Sequence, residues 1–180
     1  MRGVRWDALF ADMELQVEAM DADARAAEVA ELTRAERSAV HLTDRLRAGL
    51  AGPVEVVVRT GARVTGEMVD VAASWLLLQD GAREHLVPTA ALVTVRGAPL
   101  GVAPGQGSPL RRLGLGHALR ALARDRCVVR LETLGGPVVG RLDAVGADHV
   151  DVGLVDVADH RPSGVRDTVL LSAVGVVSRL

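Results

Sequence analysis

Residues 64–78, VTGEMVDVAASWLLL, align without a gap on residues 138–152, VVGRLDAVGADHVDV. Val64 falls on Val138, Gly66 on Gly140, Met68 on Leu142, Val71 on Val145 and Ala73 on Ala147. Trp75 to Leu78 fall on His149 to Val152. Ahead of each copy an alternating stretch runs into a glycine turn: Val54, Val56 and Val58 before Gly61, then Val129 and Leu131 before Gly135-Gly136. Behind each lies a similar last hairpin, HLVPTAALVTV (residues 85–95) against TVLLSAVGVVS (168–178). The second copy carries about nine extra residues around Asp156 to Gly164. A chain of 180 residues that repeats itself in this way is two small related units, not one undivided core.

Between Arg5 and Arg47 there is neither Gly nor Pro, and Ala, Glu, Leu and Arg dominate, which predicts helix. Trp6, Phe10, Met13, Val17, Met20, Ala24 and Ala27 step by four and three, as along a coiled-coil seam. The register then breaks, and Leu32, Ala35, Ala39, Leu42 and Leu46 take up a second seam. Asp21 or Asp23 could cap a new helix at the break, so one long bent helix and a helical pair both fit.

Gly52-Pro53 closes the leader and opens the first strand set. Gly66 and Gly140 each sit inside a strand, the usual mark of a sharp bend or close backbone approach. Gln79-Asp80-Gly81 is a hairpin turn, and Pro88 to Ala91 a one-turn link into a last short strand. Residues 97–108, GAPLGVAPGQGS, form a Gly/Pro linker. Ser108-Pro109 then starts a helix expected to run to Arg126, an N-cap followed by Pro at the first position. The expected fold is α+β: a helical leader (1–50), a five-stranded antiparallel barrel (51–96), the linker (97–108), and a helix plus a second such barrel (109–180).

The cores must be made of Val, Leu and Ala, because only two Trp and one Phe are present. All 21 basic residues are Arg, and the chain lacks Lys, Ile, Asn and Tyr. That bias reflects GC-rich codons and is no sign of nucleic acid, while a net charge of −2 denies a chain-wide polyanion footprint. A single cysteine, Cys127, excludes an internal disulfide. With no signal-type run at the start and no apolar stretch of membrane length, a cytoplasmic protein is expected. The five histidines are scattered, and Asp148, Asp151, Asp156, Asp159 and His160 lack the spacing of a calcium loop. Gly114-Leu115-Gly116 follows no strand and lacks the third glycine of a dinucleotide loop. No Ser or Cys stands visibly with a base. No enzyme, no cofactor and no metal are expected.

A helix followed by five short strands, with a glycine in the second and a one-turn link before the fifth, resembles the Sm-like fold. That family includes the Sm and Sm-like ring proteins and the bacterial host-factor RNA chaperone. Gly66, Met68 and Val71 match the frame of the first Sm motif, as do Gly140, Leu142 and Val145. The family's RNA-contacting positions do not match. Its Asp is Ala72 and Gly146 here, and its Met-Asn pair is Trp75-Leu76 and His149-Val150. The second motif's Arg-Gly is missing, and Val87-Pro88-Thr89 and Leu170-Leu171-Ser172 replace the host-factor Tyr-Lys-His. The resemblance implies the barrel without the uridine pocket. Other SH3-like barrels, including the PRC-barrel type, give nearly the same strand pattern. Separately, WDALFADME and LGLGHALRALARDR resemble phrases in uncharacterised proteins of high-GC Gram-positive bacteria.

Charge is placed unevenly. Residues 1–50 hold seven Arg and ten acids, whereas residues 97–126 hold five Arg and one acid. On the expected second helix, Leu115, Ala118, Leu119 and Leu122 share one face, with His117, Arg120 and Arg124 opposite. Two functions follow as expectations. In the first, the protein is a non-enzymatic binding and assembly scaffold, a homo-oligomer or a partner of another protein. Trp6, Phe10, Met13, Val17 and Met20 are its candidate oligomerisation residues. The alternative is an RNA- or DNA-binding regulator that uses the basic helix and barrel loops, with Arg112, His117, Arg120 and Arg124 as contacts. Gly66 and Gly140 are expected to be structural.

Overall fold

The computed structural model of the chain describes residues 4–102, 114–156 and 160–180, with the backbone alone at 4–9, 12, 17, 19, 22 and 24. It divides into two compact units, one ending at His41 and one running from Leu42 to Leu180.

The first unit is a single helix, α1 (Val4–Ser38), 35 residues long. It passes through Asp21 and Asp23 without a break, so neither aspartate caps a second helix. Both sit among helix formers, where adding a residue to an existing helix costs far less than starting one. Exposed ion pairs, Asp21 with Arg25 at 3.9 Å and Glu31 with Arg34 at 3.0 Å, each add about 0.3 kcal/mol.

The second unit repeats one plan. A short helix α2 (Leu42–Ala48) precedes β1 (Pro53–Val58), β2 (Arg63–Val71), β3 (Trp75–Asp80) and β4 (Arg83–Pro88). A 3₁₀ turn at Thr89–Ala91 leads into β5 (Leu92–Arg96). The plan returns as α3 (Leu115–Asp125), β6 (Val128–Thr133), β7 (Gly136–Val145), β8 (His149–Val155) and β9 (Pro162–Leu170). A 3₁₀ turn at Leu171–Ala173 and β10 (Val174–Arg179) complete it. All ten strands lie in one antiparallel sheet, in the order β5-β1-β2-β3-β4-β10-β6-β7-β8-β9. The last strand of the second repeat therefore lies beside the fourth strand of the first.

Each repeat turns on its second strand. Residues 63–67 of β2 pair with β1, and residues 67–71 pair with β3, with a register shift between Met68 and Asp70. β7 does the same, shifting between Leu142 and Ala144. Such a shift bends the strand and sharpens its twist. The glycines stand just before the bend for a steric reason. A Cβ on Gly66 would lie 2.7 Å from the Gln79 carbonyl oxygen of β3, and one on Gly140 would strike the Gly153 carbonyl of β8.

Alternation in the strands sorts the residues into two cores. Val54, Val56, Met68, Val71, Leu76 and Leu78 build the first around Leu46 of α2. Val129, Leu131, Leu142, Val150 and Val152 build the second around Leu119 of α3. Cys127 is half-buried against that second core and its thiol donates toward the Leu122 carbonyl at 3.7 Å, a packing role.

Four expectations need correction. A leader ending at residue 50 would include α2, but Leu46 is fully buried in the first core, so α2 belongs with the sheet. The second helix begins at Leu115, capped by Gly114 in extended conformation, and not at Pro109; Ser108 and Pro109 lie outside the described residues. The final hairpins align one residue differently: Trp75 pairs with Pro88 and His149 with Leu170, so Pro88 corresponds to Leu170. The insertion is accordingly eight residues, since those partners stand 13 and 21 positions apart.

Because the clash at Gly66 is with backbone, no side-chain rearrangement relieves it. Gly66→Val is expected to destabilise the sheet unit by about 2–4 kcal/mol, the range for overpacked sites. A urea titration would read this as a lower midpoint at unchanged slope. An unshifted midpoint would contradict the close approach of β2 and β3.

Candidate functional site

Where the two repeats meet, β4 and β10 pair with Leu86 opposite Val177 and His85 opposite Ser178. Side chains reinforce the pairing. His85 Nδ1 and Ser178 Oγ share a hydrogen bond of 2.8 Å, Arg179 lies 3.7 Å from the Glu84 carboxylate, and Arg59 donates to the Ser172 carbonyl at 2.8 Å. Each core also receives a residue from the other repeat. Val176 is buried in the first core, and Leu86 is buried in the second with Trp75 packed against it. Gly175 permits the approach, since a Cβ there would lie 2.7 Å from Thr60 Cγ2. Burial lowers the His85 pKa below its ordinary 6.5; Arg83 adds to this, and Asp80 opposes it.

The outer strands of the sheet are β5 and β9. Among the described residues no strand pairs with the outer side of either. Both expose apolar side chains, Val93 at 59% on β5 and Val165 and Leu170 at 56% and 55% on β9. Edges of this kind are templates for pairing with another strand.

The second feature is a cleft of about 680 Å³ between α3 and β7, with Arg120, Arg124, Arg126 and Arg141 in its walls and Leu142 and Val145 among its lining. Its shape follows from α3. Leu119 is buried and Leu115, Ala118 and Leu122 pack against the same core, which holds the helix down and turns Arg120 and Arg124 outward. The helix stops at Arg126, which adopts a left-handed φ of 50°. Among the described residues none of the four guanidinium groups has a carboxylate within 4.0 Å. The cleft's one acid, Asp143, is held by Arg166 at 3.1 Å.

Sequence reasoning thus found half of this cluster. Arg120 and Arg124 come together, but His117 does not join them. It lines an apolar hollow of about 310 Å³ at the seam, with Trp75, Leu77, Leu86 and Val177. Arg112 lies outside the described residues. Arg126 and Arg141 were missed. The signal for Arg141 was present in the repeat itself, because the aligned position in the first copy is Glu67. Of the oligomerisation residues, Phe10, Met13 and Met20 are exposed on α1, while Trp6 and Val17 lie on it with side chains outside the described residues.

The acids around β8 serve the strands. Asp151 accepts the Thr168 hydroxyl at 2.6 Å, and Asp148 accepts from His149 at 2.8 Å, which lowers the Asp148 pKa and raises that of His149. Asp159 lies outside the described residues. Among the described residues no three His, Cys, Asp or Glu side chains stand where they could hold a metal ion, and no described helix is long and apolar enough to cross a membrane. Comparison with known protein families finds no match to this chain, and comparison with curated proteins finds none either.

His85 makes the seam sensitive to pH. The unfolded chain takes up this proton near pH 6.5, while the folded seam resists it, so the unfolded state binds more protons just below that value. Stability from the neutral imidazole is therefore full above pH 6.5 and declines as pH falls below it. Thermal melts at pH 7.5 and 5.5 are expected to show a larger drop for the native chain than for His85→Gln. Equal drops would mean that the imidazole is not held neutral at the seam.

Proposed function

We propose that this protein is a non-enzymatic assembly scaffold of two Sm-like small barrels that associates with copies of itself, head to tail, through β9 and β5. Support for the barrel reading comes from the bent second strand of each repeat and from β1, which pairs with β2 on one side and β5 on the other. One observation carries the self-association: the chain already joins two repeats through a fourth strand and a fifth strand, β4 with β10. The outer strands are the same two elements left over, a fifth strand at one end and a fourth at the other.

The internal seam also supplies a register. The corresponding positions of the last two strands in each repeat stand 82 residues apart, as Pro88 and Leu170 do. Leu86 then corresponds to Thr168, His85 to Asp167, Val177 to Val95 and Ser178 to Arg96. Copying the seam between molecules sets Val95 opposite Thr168 of the next copy and Arg96 opposite its Asp167. Directly opposed unlike charges favour an antiparallel pair. Contacts of this head-to-tail kind close into rings or extend as filaments, depending on the rotation per step. The leader adds a second contact, through Phe10, Met13 and Met20 on one side of α1.

Charge reversal tests the strand contact in the full-length chain. Arg96→Asp and Asp167→Arg, each alone, are expected to lower the mass measured by light scattering, and the double variant is expected to restore it. A monomeric native chain, or a mass that ignores all three variants, would contradict the proposal. Phe10→Glu combined with Met13→Glu is expected to lower the mass as well. An unchanged mass would remove the leader from the assembly.

A further inference from the structure

The two repeats share a plan but not a surface, and the difference falls at the cleft. In the first repeat the position of Arg141 is Glu67. The arginines of its helix are engaged. Arg47 pairs with Asp44 and donates to the Val71 carbonyl, and Arg45 donates to the Pro99 carbonyl at 2.9 Å. The groove beside Glu67, lined by Thr65, Gln79 and Asp80, holds two acids and no base. In the second repeat β7 carries Arg141 where β2 has Glu67, β9 carries Arg166 where β4 has Glu84, and the α3 arginines have no acidic partner among the described residues. Positive charges have been gathered on one copy only, so the fold itself does not require them.

Shape narrows the ligand. A second hollow of about 450 Å³, lined by β7, β8 and β9, adjoins the arginine cleft and shares Arg141 and Asp143 with it. Arg120, Arg124 and Arg126 line the first hollow, Arg166 lines the second, and Arg141 lines both, which joins them into one track. A single small anion would occupy one part of such a groove. A flexible chain of regularly spaced anions can occupy all of it. Guanidinium groups suit phosphate, which they can contact through two N–H groups at once. In the arginine cleft the apolar residues lie within the groove, Leu142 nearly buried, and do not project beside the cations as a membrane surface requires; Val165, next to Arg166 in the second hollow, is the exposed exception.

The geometry points to a single-stranded nucleic-acid site along this track, in which Arg120, Arg124, Arg126 and Arg141 hold successive phosphodiester groups. Asp143 tempers the site, because it is the one negative group within it and occupies Arg166. The four phosphate-holding arginines lie on α3, at its C-terminal end and on β7, and not on the assembly strands β9 and β5; only Arg166, in the second hollow, shares β9 with the assembly contact.

Fluorescence anisotropy of the full-length chain with labelled single-stranded RNA, single-stranded DNA and duplex DNA of mixed sequence tests it. Saturable binding to a single strand is expected at low salt, with log affinity falling against log salt at a slope of roughly −2 to −3, for three or four phosphates. RNA against DNA separates the two sources of the same backbone. The triple variant Arg120→Gln, Arg124→Gln and Arg141→Gln is expected to bind weaker by on the order of tenfold or more and to flatten the slope. Asp143→Asn, which frees Arg166, is expected to bind more tightly. That gain cannot come from a misfolded chain, so it keeps the test decisive even if the triple variant is unstable. No saturable binding at low salt would overturn the proposal. So would binding indifferent to both variants, a preference for the duplex, or binding to anionic vesicles alone. Loss of binding with an unchanged assembly mass would leave the scaffold reading intact.

Discussion

The structure depends on β10 being held on both sides, by β6 of its own repeat and by β4 of the other. Two sheets that merely adjoined would each need a complete core of their own. Here neither core is complete, because Val176 fills part of the first and Leu86 part of the second. Burying one such side chain contributes about 1.5–3 kcal/mol. That is comparable to a large fraction of a small domain's net stability. The repeats are therefore coupled through packing as well as through the strand hydrogen bonds. Gly175 serves the same end by letting β10 approach Thr60 of the first repeat, whereas Gly66 and Gly140 let strands approach within their own repeats.

Much of this was legible in the sequence. The ungapped match of residues 64–78 to 138–152 located the bent strands, and the interior glycines marked the places where backbone meets backbone. The apolar face of α3 was read correctly from its 3.6-residue spacing, and Leu119 is its buried centre. What escaped has identifiable causes. The pairing of β4 with β10 joins residues some 90 positions apart, such as His85 and Ser178, and leaves no local pattern. The final hairpins were aligned one residue out because a nearly continuous apolar run precedes β10, so the period-two pattern that fixes register is weak there. Strand partners settle the matter: Val56 faces Val95 and Leu131 faces Val177. The α1 break was inferred from a change of apolar register, which an exposed helix tolerates without breaking.

The two repeats share their inner faces and differ in their outer ones. Their inner faces are constrained in the same way, with valine and leucine at corresponding strand positions. Their outer faces have diverged, most plainly at Glu67 and Arg141. An arginine on a strand costs little when its head reaches water, so such a face can change charge without disturbing the core beneath it. Arg126 adds a local departure, a non-glycine residue in left-handed conformation at the mouth of the cleft. Strain of this kind persists where the surroundings fix it.

The central claim is that the second unit, Leu42 to Leu180, is one cooperative body and not two barrels on a string. Native-state hydrogen exchange measures this directly. The amides of Leu86 and Val177 at the seam, if the account is right, exchange only through the same global opening as those of Val56 and Leu131 in the centre of each repeat. Their opening free energies would agree and would fall together with denaturant. Seam amides that exchange far faster than the repeat centres, by local separation of β4 from β10, would contradict it.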